Sequence, residues 1–293
     1  MASSKPFRFG VNMLAPGSRA EWVAKCRKAE SLGFDVVAVA DHLGLPAPFP
    51  ALMLAAEVTE RVRLNTFVLN TSFYNPALLA REVATTDAFT DGRFELGLGA
   101  GYVKAEFDAA QMVFPRAGER IDHIERTVRE MRKLFSDPEF QPRPAQPSGP
   151  PLMLAGWGDR MLALAAGHAD IVALTGGVTN RTGSQVTVAD SVAVDARISY
   201  VRTLLGDRAD EVEYNILVQR VEPADSRAAL AEALVANLPA GAADVDDIPA
   251  LLIGSPRDIA DTLRERRDRF GFSYITVLEP NMDKLAPVIE LLR

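Results

Sequence analysis

Short apolar runs alternate with amphipathic segments along the chain. Runs such as DVVAVAD and RFELGLG are rich in aliphatic residues, a pattern typical of strands buried on both faces of a parallel sheet. Apolar positions recur at helical spacing between them. The pattern predicts eight strands, each followed by a helix. The predicted strands are residues 7–13, 35–41, 62–70, 93–99, 150–156, 169–177, 211–221 and 272–280.

Capping signals support several predicted helices. Ser18 is an expected N-cap with Glu21 three residues later, Gly33 is an expected helix end, and Pro76 stands near a first helical position. Strict alternation over eight strands favours an α/β fold of the (β/α)8 TIM-barrel type over an open doubly wound sheet.

The chain length fits one barrel. Its 293 residues are close to the roughly 250 of a single α/β barrel. The proline-rich segment 137–151 resembles a linker, but we interpret it as an extended loop inside the barrel. We therefore expect residues 1–293 to form a single domain with extended loops at its C-terminal face.

Composition excludes several classes. The net charge of −7 and the lack of a basic run disfavour nucleic-acid binding. No apolar stretch approaches the ~18 residues of a membrane span, so we expect no membrane partner. The single cysteine, Cys26, cannot form an intrachain disulfide, which fits a reducing cytoplasm, and its helical spacing indicates a small core residue.

Polar residues end the second predicted strand. Asp41 and His42 follow the apolar run, and chemistry in such barrels lies at the C-terminal ends of strands. Histidine exchanges protons near neutral pH, and a neighbouring carboxylate can orient it. From the residues alone two interpretations stay open: a solvated strand end, or a catalytic pair.

The other strand ends are poor in metal ligands. Of three histidines, His123 falls in a long helix and His168 in a turn, where we expect surface or capping roles. Lys104 is predicted to lie in a solvated loop and not to form a Schiff base. We expect no metal site.

Glycines follow the fourth, fifth and sixth strands. GLGAGY has the spacing G-x-G-x-G, which departs from the dinucleotide fingerprint. AGWG precedes a helix and could present backbone N–H groups to an anion. Together these ends indicate a flat, phosphate-bearing cofactor, although each glycine alone is better explained by a tight turn.

Motifs spread over nearly the whole chain resemble the luciferase-like monooxygenase superfamily. They are VADHL, the segment from LNTFVLN to GLGAGY, AGERIDHIERTVREMRKLF and LIGSPRDIADTLRER. Within it they are similar to the oxidoreductases that use the deazaflavin coenzyme F420. The resemblance implies a TIM barrel with the cofactor ring at the C-terminal mouth.

The resemblance also implies roles for individual residues. Asp41 and His42 would contact ring and substrate, with His42 handling the proton and Asp41 supporting it. Some members carry a glutamate proton donor after strand four, where Tyr102 and Glu106 are the candidates here. A cis peptide is expected between Phe67 and Val68. The further cofactor contacts would come from Ala100, Gly101, Tyr102, Gly156, Trp157, Gly158, Thr175 and Gly176.

Three functions stay open. The first is hydride transfer between F420 and a small organic substrate, the second an FMN-dependent monooxygenase, and the third a non-catalytic cofactor-binding protein. F420 carries a phosphate and a carboxylate-rich tail, so we expect a cation near it, first Arg181 and then Arg197 or Arg202. We expect a homodimer and substrate contacts from loops 43–50, 103–118 and 175–190.

Overall fold

The computed structural model describes residues 5–14, 17–179, 186–234 and 245–293. Its strands are β1 (Arg8–Met13), β2 (Val36–Val39), β3 (Arg63–Thr66), β4 (Leu69–Asn70), β5 (Phe94–Gly99), β6 (Leu152–Gly156), β7 (Ile171–Leu174), β8 (Gly177–Thr179), β9 (Val186–Val188), β10 (Glu213–Val218), β11 (Arg220–Glu222), β12 (Leu251–Ile253) and β13 (Phe272–Leu278).

Helices surround these strands. They are α1 (Arg19–Ser31), α2 (Pro48–Val58), α3 (Pro76–Phe89), α4 (Lys104–Ala109), α5 (Ala117–Ser136), α6 (Asp159–His168), α7 (Ser191–Leu205), α8 (Arg227–Leu234), α9 (Pro256–Phe270) and α10 (Met282–Leu292). None of the helices in the described ranges is both long and apolar enough to cross a membrane.

Eight parallel strands close into a barrel. In the described residues they pair in the order β3, β2, β1, β13, β10, β7, β6, β5, and pairing between β3 and β5 closes the ring. Apolar side chains fill the space between this barrel and the helices. The TIM-barrel prediction is confirmed, as are the Ser18 capping box of α1 and the positive φ of Gly33 after it.

The loops depart from the predictions at three places. The seventh predicted strand ends at Val218, because the N–H of Gln219 donates to the carbonyl of Ala250 and β11 then pairs with β12 outside the barrel. The loop expected after the sixth strand contains the antiparallel pair of β8 and β9. The loop expected after the fourth strand contains α4.

The core contains the predicted cysteine and a charged cluster. Cys26 is fully buried, and burial raises the pKa of its thiol to about 12. Near the N-terminal ends of the strands, the fully buried carboxylate of Glu95 accepts hydrogen bonds from Arg8 at 3.0 Å and Arg63 at 2.5 Å. This end of the barrel is therefore closed by compensated charges.

Glycines in β5 allow the barrel to close against the third strand. A Cβ atom on Gly97 would collide with the backbone carbonyl of Thr66 and lie 3.0 Å from the Val68 side chain, and one on Gly99 would lie 2.6 Å from Val68. Backbone atoms in a paired strand cannot move aside easily, so the close approach requires glycine.

We predict that Gly97→Ala lowers the free energy of unfolding by roughly 1–3 kcal/mol, because it overpacks this contact. Gly167→Ala is the matched control, since Gly167 lies in α6 and a Cβ added there would meet no atom within 4 Å. It should stabilise the protein by roughly 0.5–1 kcal/mol, the usual glycine-to-alanine gain in a helix. Urea denaturation of both variants tests this, and equal effects would contradict it.

Candidate active site

The mouth of the barrel gathers residues that follow three adjacent strands. β2 pairs with β3, and β3 and β4 pair with β5, so the segments after these strands begin side by side. Asp41 and His42 follow β2, Asn70 ends β4, and Tyr102 follows β5. The parallel strands therefore bring together residues that are distant in the sequence.

His42 forms a hydrogen bond with Glu106. Its Nδ1 lies 2.7 Å from Oε1 of Glu106, which α4 carries, and the glutamate side chain is only 14% exposed. The ring of Tyr102 meets the imidazole edge-on, with ring centroids 5.8 Å apart. An Nδ1–H that donates to Glu106 leaves Nε2 of His42 to exchange a proton with a substrate.

Asp41 has different partners. Its Oδ2 accepts the backbone N–H of Asn70 at 3.0 Å, and it also accepts the hydroxyl of Tyr74. Burial raises the pKa of Asp41, while the bonds from Asn70 and Tyr74 oppose that shift. The expectation that Asp41 supports His42 is therefore corrected in part: the carboxylate that binds the imidazole belongs to Glu106.

His123 holds the turn that carries Tyr74. Its Nε2 lies 3.1 Å from the carbonyl oxygen of Thr71 and 3.0 Å from that of Tyr74, so an Nε2–H can donate to both. The imidazole thus fixes the turn that carries Tyr74. The expected capping role of His123 agrees with these bonds, because the carbonyls of Thr71 and Tyr74 belong to a 3-10 turn and its C-cap. His168, as expected, ends α6 and contacts Arg132 at the surface.

The floor of the mouth fits a flat polar ring. The peptide between Phe67 and Val68 is cis, as expected. Gly101 has a φ of +65°, and a Cβ there would collide with the Asn70 side chain. Both polar atoms of the Asn70 side-chain amide are buried without a partner among the described residues. Such groups are normally satisfied, so a ring with donors and acceptors fits this position.

The beginning of α6 suits the phosphate group of the expected cofactor. Gly158 is the N-cap and provides no side-chain cap, so the first backbone N–H groups of the helix are available to an anion. Gly156 ends β6, and the half-buried Trp157 stands between these glycines. A Cβ on Gly158 would meet no atom within 4 Å, which leaves room for a ligand.

The remaining expected cofactor contacts lie after β7. Thr175 is exposed and its hydroxyl donates to the carbonyl of Gly177 at 3.2 Å. Gly176 is buried with a φ of +72°. Ala100 is half-buried at the end of β5. Arg181 lies outside the described residues.

The two other arginine candidates differ. Arg197 forms an ion pair with Asp159 in the first turn of α6, beside the predicted phosphate position. Arg202 lies over the ring of Tyr214, near the beginning of β10 and thus at the opposite end of the barrel. The Arg202 candidate is therefore wrong.

A protein-family model described as luciferase-like monooxygenase matches residues 1–273. This match covers most of the chain. The chain belongs to the luciferase-like monooxygenase family. The resemblance found in the sequence is thus confirmed.

Curated relatives match only part of this chain. An F420-dependent glucose-6-phosphate dehydrogenase of Intrasporangium calvum is 39% identical over 121 residues, which are 38% of this chain and 36% of the relative. One of Kineococcus radiotolerans is 31% identical over 140 residues, 45% of this chain and 40% of the relative. The matches span well under half the length of these relatives.

Solved structures share the fold. An F420-dependent secondary alcohol dehydrogenase in complex with an F420-acetone adduct has a TM-score of 0.74 at 16% identity, covering 99% of this chain and 98% of that one. A riboflavin lyase with modified FMN has a TM-score of 0.77 at 13% identity, covering 99% and 92%. At these identities the likeness shows the fold alone.

Sequence reasoning missed Tyr74 and left Glu106 undecided. The spacing of Lys104 and Asp108 at i and i+4 was the available signal for α4, and these residues form an ion pair at 2.6 Å. A helix there directs Glu106 to His42. No sequence signal connects Tyr74 with Asp41.

We predict that Asp41→Asn stabilises the protein relative to the wild type more at pH 7 than at pH 4.5. Because burial raises the pKa of Asp41 in the folded state, its contribution to wild-type stability is greatest at acidic pH and is lost as the pH rises through that pKa. Asparagine keeps an acceptor for the Asn70 N–H and does not titrate. Urea denaturation at both pH values measures the difference, and a larger gain at pH 4.5 would contradict it.

Proposed function

We propose that the chain is an oxidoreductase that transfers a hydride between coenzyme F420 and a small organic substrate. The observation that carries this proposal is the His42–Glu106 pair at the same mouth as the side-chain amide of Asn70, which has no partner among the described residues. The names of the partial relatives, F420-dependent glucose-6-phosphate dehydrogenases, support the choice of cofactor.

The chain's own residues would hold the cofactor at two positions. Asn70, Gly101 and the Phe67–Val68 peptide would receive the ring, and the beginning of α6 at Gly158 would receive the phosphate. When bound, F420 would supply a carbon atom that accepts a hydride from the substrate or returns it.

His42 manages the accompanying proton. When an alcohol is oxidised, its hydroxyl proton passes to Nε2 of His42 while the C–H hydrogen leaves with its electron pair, and a carbonyl compound remains. Glu106 accepts the Nδ1–H hydrogen bond, orients the ring and compensates its positive charge. In the reverse direction His42 donates the proton to the carbonyl oxygen.

Two less specific expectations are kept as proposals. We propose a homodimer, and the exposed Phe89 on α3, beside a cavity of about 550 Å³ bordered by α2 and α3, supports a contact there. We propose a reducing compartment such as the cytoplasm, in keeping with the free thiol of Cys26.

We predict that F420 binds more tightly than FMN and that its binding weakens between low and moderate salt. The phosphate and carboxylates of F420 require cations, and charge pairs exposed to solvent are screened over about 8 Å at physiological ionic strength. Fluorescence titration of both cofactors at two salt concentrations measures this. Saturable binding of FMN without binding of F420 would favour the monooxygenase, and binding without any turnover would favour the non-catalytic protein.

We predict that His42→Gln lowers turnover by about 10²-fold or more, as for a lost general acid or base. Its affinity for F420 should stay within about tenfold. Glu106→Gln keeps an acceptor for the Nδ1–H of His42 but removes the charge, so turnover should fall less than in His42→Gln. His168→Gln, at the surface of α6, is the control and should keep wild-type turnover. Equal turnover of His42→Gln and His168→Gln would favour the interpretation of His42 as a solvated residue at a strand end, without a catalytic role.

A further inference from the structure

Large apolar side chains are exposed beside the His42–Glu106 pair. Of the nine large apolar residues that are exposed in the described ranges, four lie in the segments after β2 and β5. They form what we call the apolar collar: Leu43 (51% exposed), Tyr102 (41%), Met112 (40%) and Val113 (84%). Exposed apolar residues that cluster beside a polar site indicate a binding surface.

Two members of the apolar collar lie next to the imidazole. Leu43 follows His42 directly, and the Tyr102 ring contacts the His42 ring. Met112 and Val113 follow α4, and the N–H of Met112 donates to the carbonyl of Phe107 at 2.9 Å.

An aromatic cluster fixes the segment that carries the second half of the collar. The buried ring of Phe107 packs against Phe73, which follows β4, with centroids 5.0 Å apart. Phe114 packs on the other side of Phe107 at 4.9 Å. The segment that carries Met112 and Val113 is therefore anchored at both ends.

The charges of these segments do not suit a phosphate. Asp41 and Glu106 lie closest to His42, and a phosphate dianion would be repelled by both. Within residues 41–50 and 100–120, the cations have other contacts. Lys104 pairs with Asp108 at 2.6 Å, and Arg120 is buried with its guanidinium over the Phe114 ring.

One further cation, Arg116, lies at the beginning of α5. Its backbone N–H donates to the carboxylate of Glu119, which thus places an opposite charge beside it. Across residues 41–50 and 100–120 there are four carboxylates and three cations. These two segments therefore offer an apolar and weakly acidic surface.

From these observations we infer that the substrate is an uncharged molecule with an apolar group, such as a neutral secondary alcohol or the corresponding ketone, and not a sugar phosphate. The inference rests on the proposed function for its reaction. His42 Nε2 binds the single hydroxyl or carbonyl oxygen, and the apolar collar covers the hydrocarbon part. The chain would then differ in substrate from the glucose-6-phosphate dehydrogenases that match part of it.

The test compares kcat/KM of the F420-loaded protein for 2-propanol, 2-butanol, 2-pentanol and 2-hexanol with that for glucose 6-phosphate. Each buried methylene should raise kcat/KM about fourfold until the apolar collar is filled. Glucose 6-phosphate should be at least about 10²-fold poorer than the best alcohol. A preference for glucose 6-phosphate, or no gain with chain length, would overturn the inference.

Variants test whether the apolar collar causes the dependence of kcat/KM on chain length. Leu43→Ser should flatten the dependence of kcat/KM on chain length, mainly through KM. Leu204→Ser is the matched control, since Leu204 is a similarly exposed leucine (46%) on α7 and outside the apolar collar. An unchanged chain-length dependence in Leu43→Ser would overturn the role of the apolar collar.

A binding measurement without the cofactor separates this inference from the proposed function. Saturation-transfer NMR should detect 2-hexanone, with a signal reduced in Leu43→Ser, and should not detect glucose 6-phosphate. Where F420 fails to bind or no alcohol reacts, the proposed function fails and the NMR result decides the inference. Detection of the sugar phosphate and not the ketone would overturn it.

Discussion

Closure of the barrel between β3 and β5 is the constraint on which the mouth depends. The two strands approach closely enough that Gly97 and Gly99 have no room for a side chain against Thr66 and Val68. This contact sets β2, β3 and β5 side by side, so that their ends converge. It brings the Asn70 N–H to Asp41 and allows α4, after β5, to present Glu106 to His42.

The two carboxylates at the mouth have separate tasks because their surroundings differ. Asp41 is fixed by the Asn70 N–H and the Tyr74 hydroxyl, and His123 fixes the turn that holds Tyr74. Because Asp41 bonds to Asn70 and Tyr74 and not to the imidazole, it fixes the position of the chain just before His42. Glu106 contacts the imidazole itself and can answer a change in its charge. A rigid carboxylate thus positions the histidine, and under the proposed function the second one would assist its proton exchange.

The sequence predicted the elements well and the side-chain partners poorly, for a physical reason. Strand periodicity and capping residues are local, so the eight strands, the Ser18 capping box and the Asp41–His42 strand end could be predicted. The bond between His42 and Glu106 spans 64 residues and depends on the order of strands in the closed ring. The same holds for the separation of β10 from β11, which follows from the contact of Gln219 with Ala250.

The Glu95 cluster at the N-terminal end of the barrel and the Asn70 amide at the mouth are buried polar groups in different surroundings. The Glu95 carboxylate accepts hydrogen bonds from Arg8 and Arg63, although Nε of Arg8 and the hydroxyl of Tyr274 are buried there without a hydrogen-bond partner among the described residues. At the mouth, the entire side-chain amide of Asn70 is buried without a partner among the described residues. A buried amide left unpaired is unfavourable by about 1–3 kcal/mol. Under the proposed function, a bound ring that pairs with the Asn70 amide would remove that cost, and the same free energy would contribute to the affinity for the cofactor.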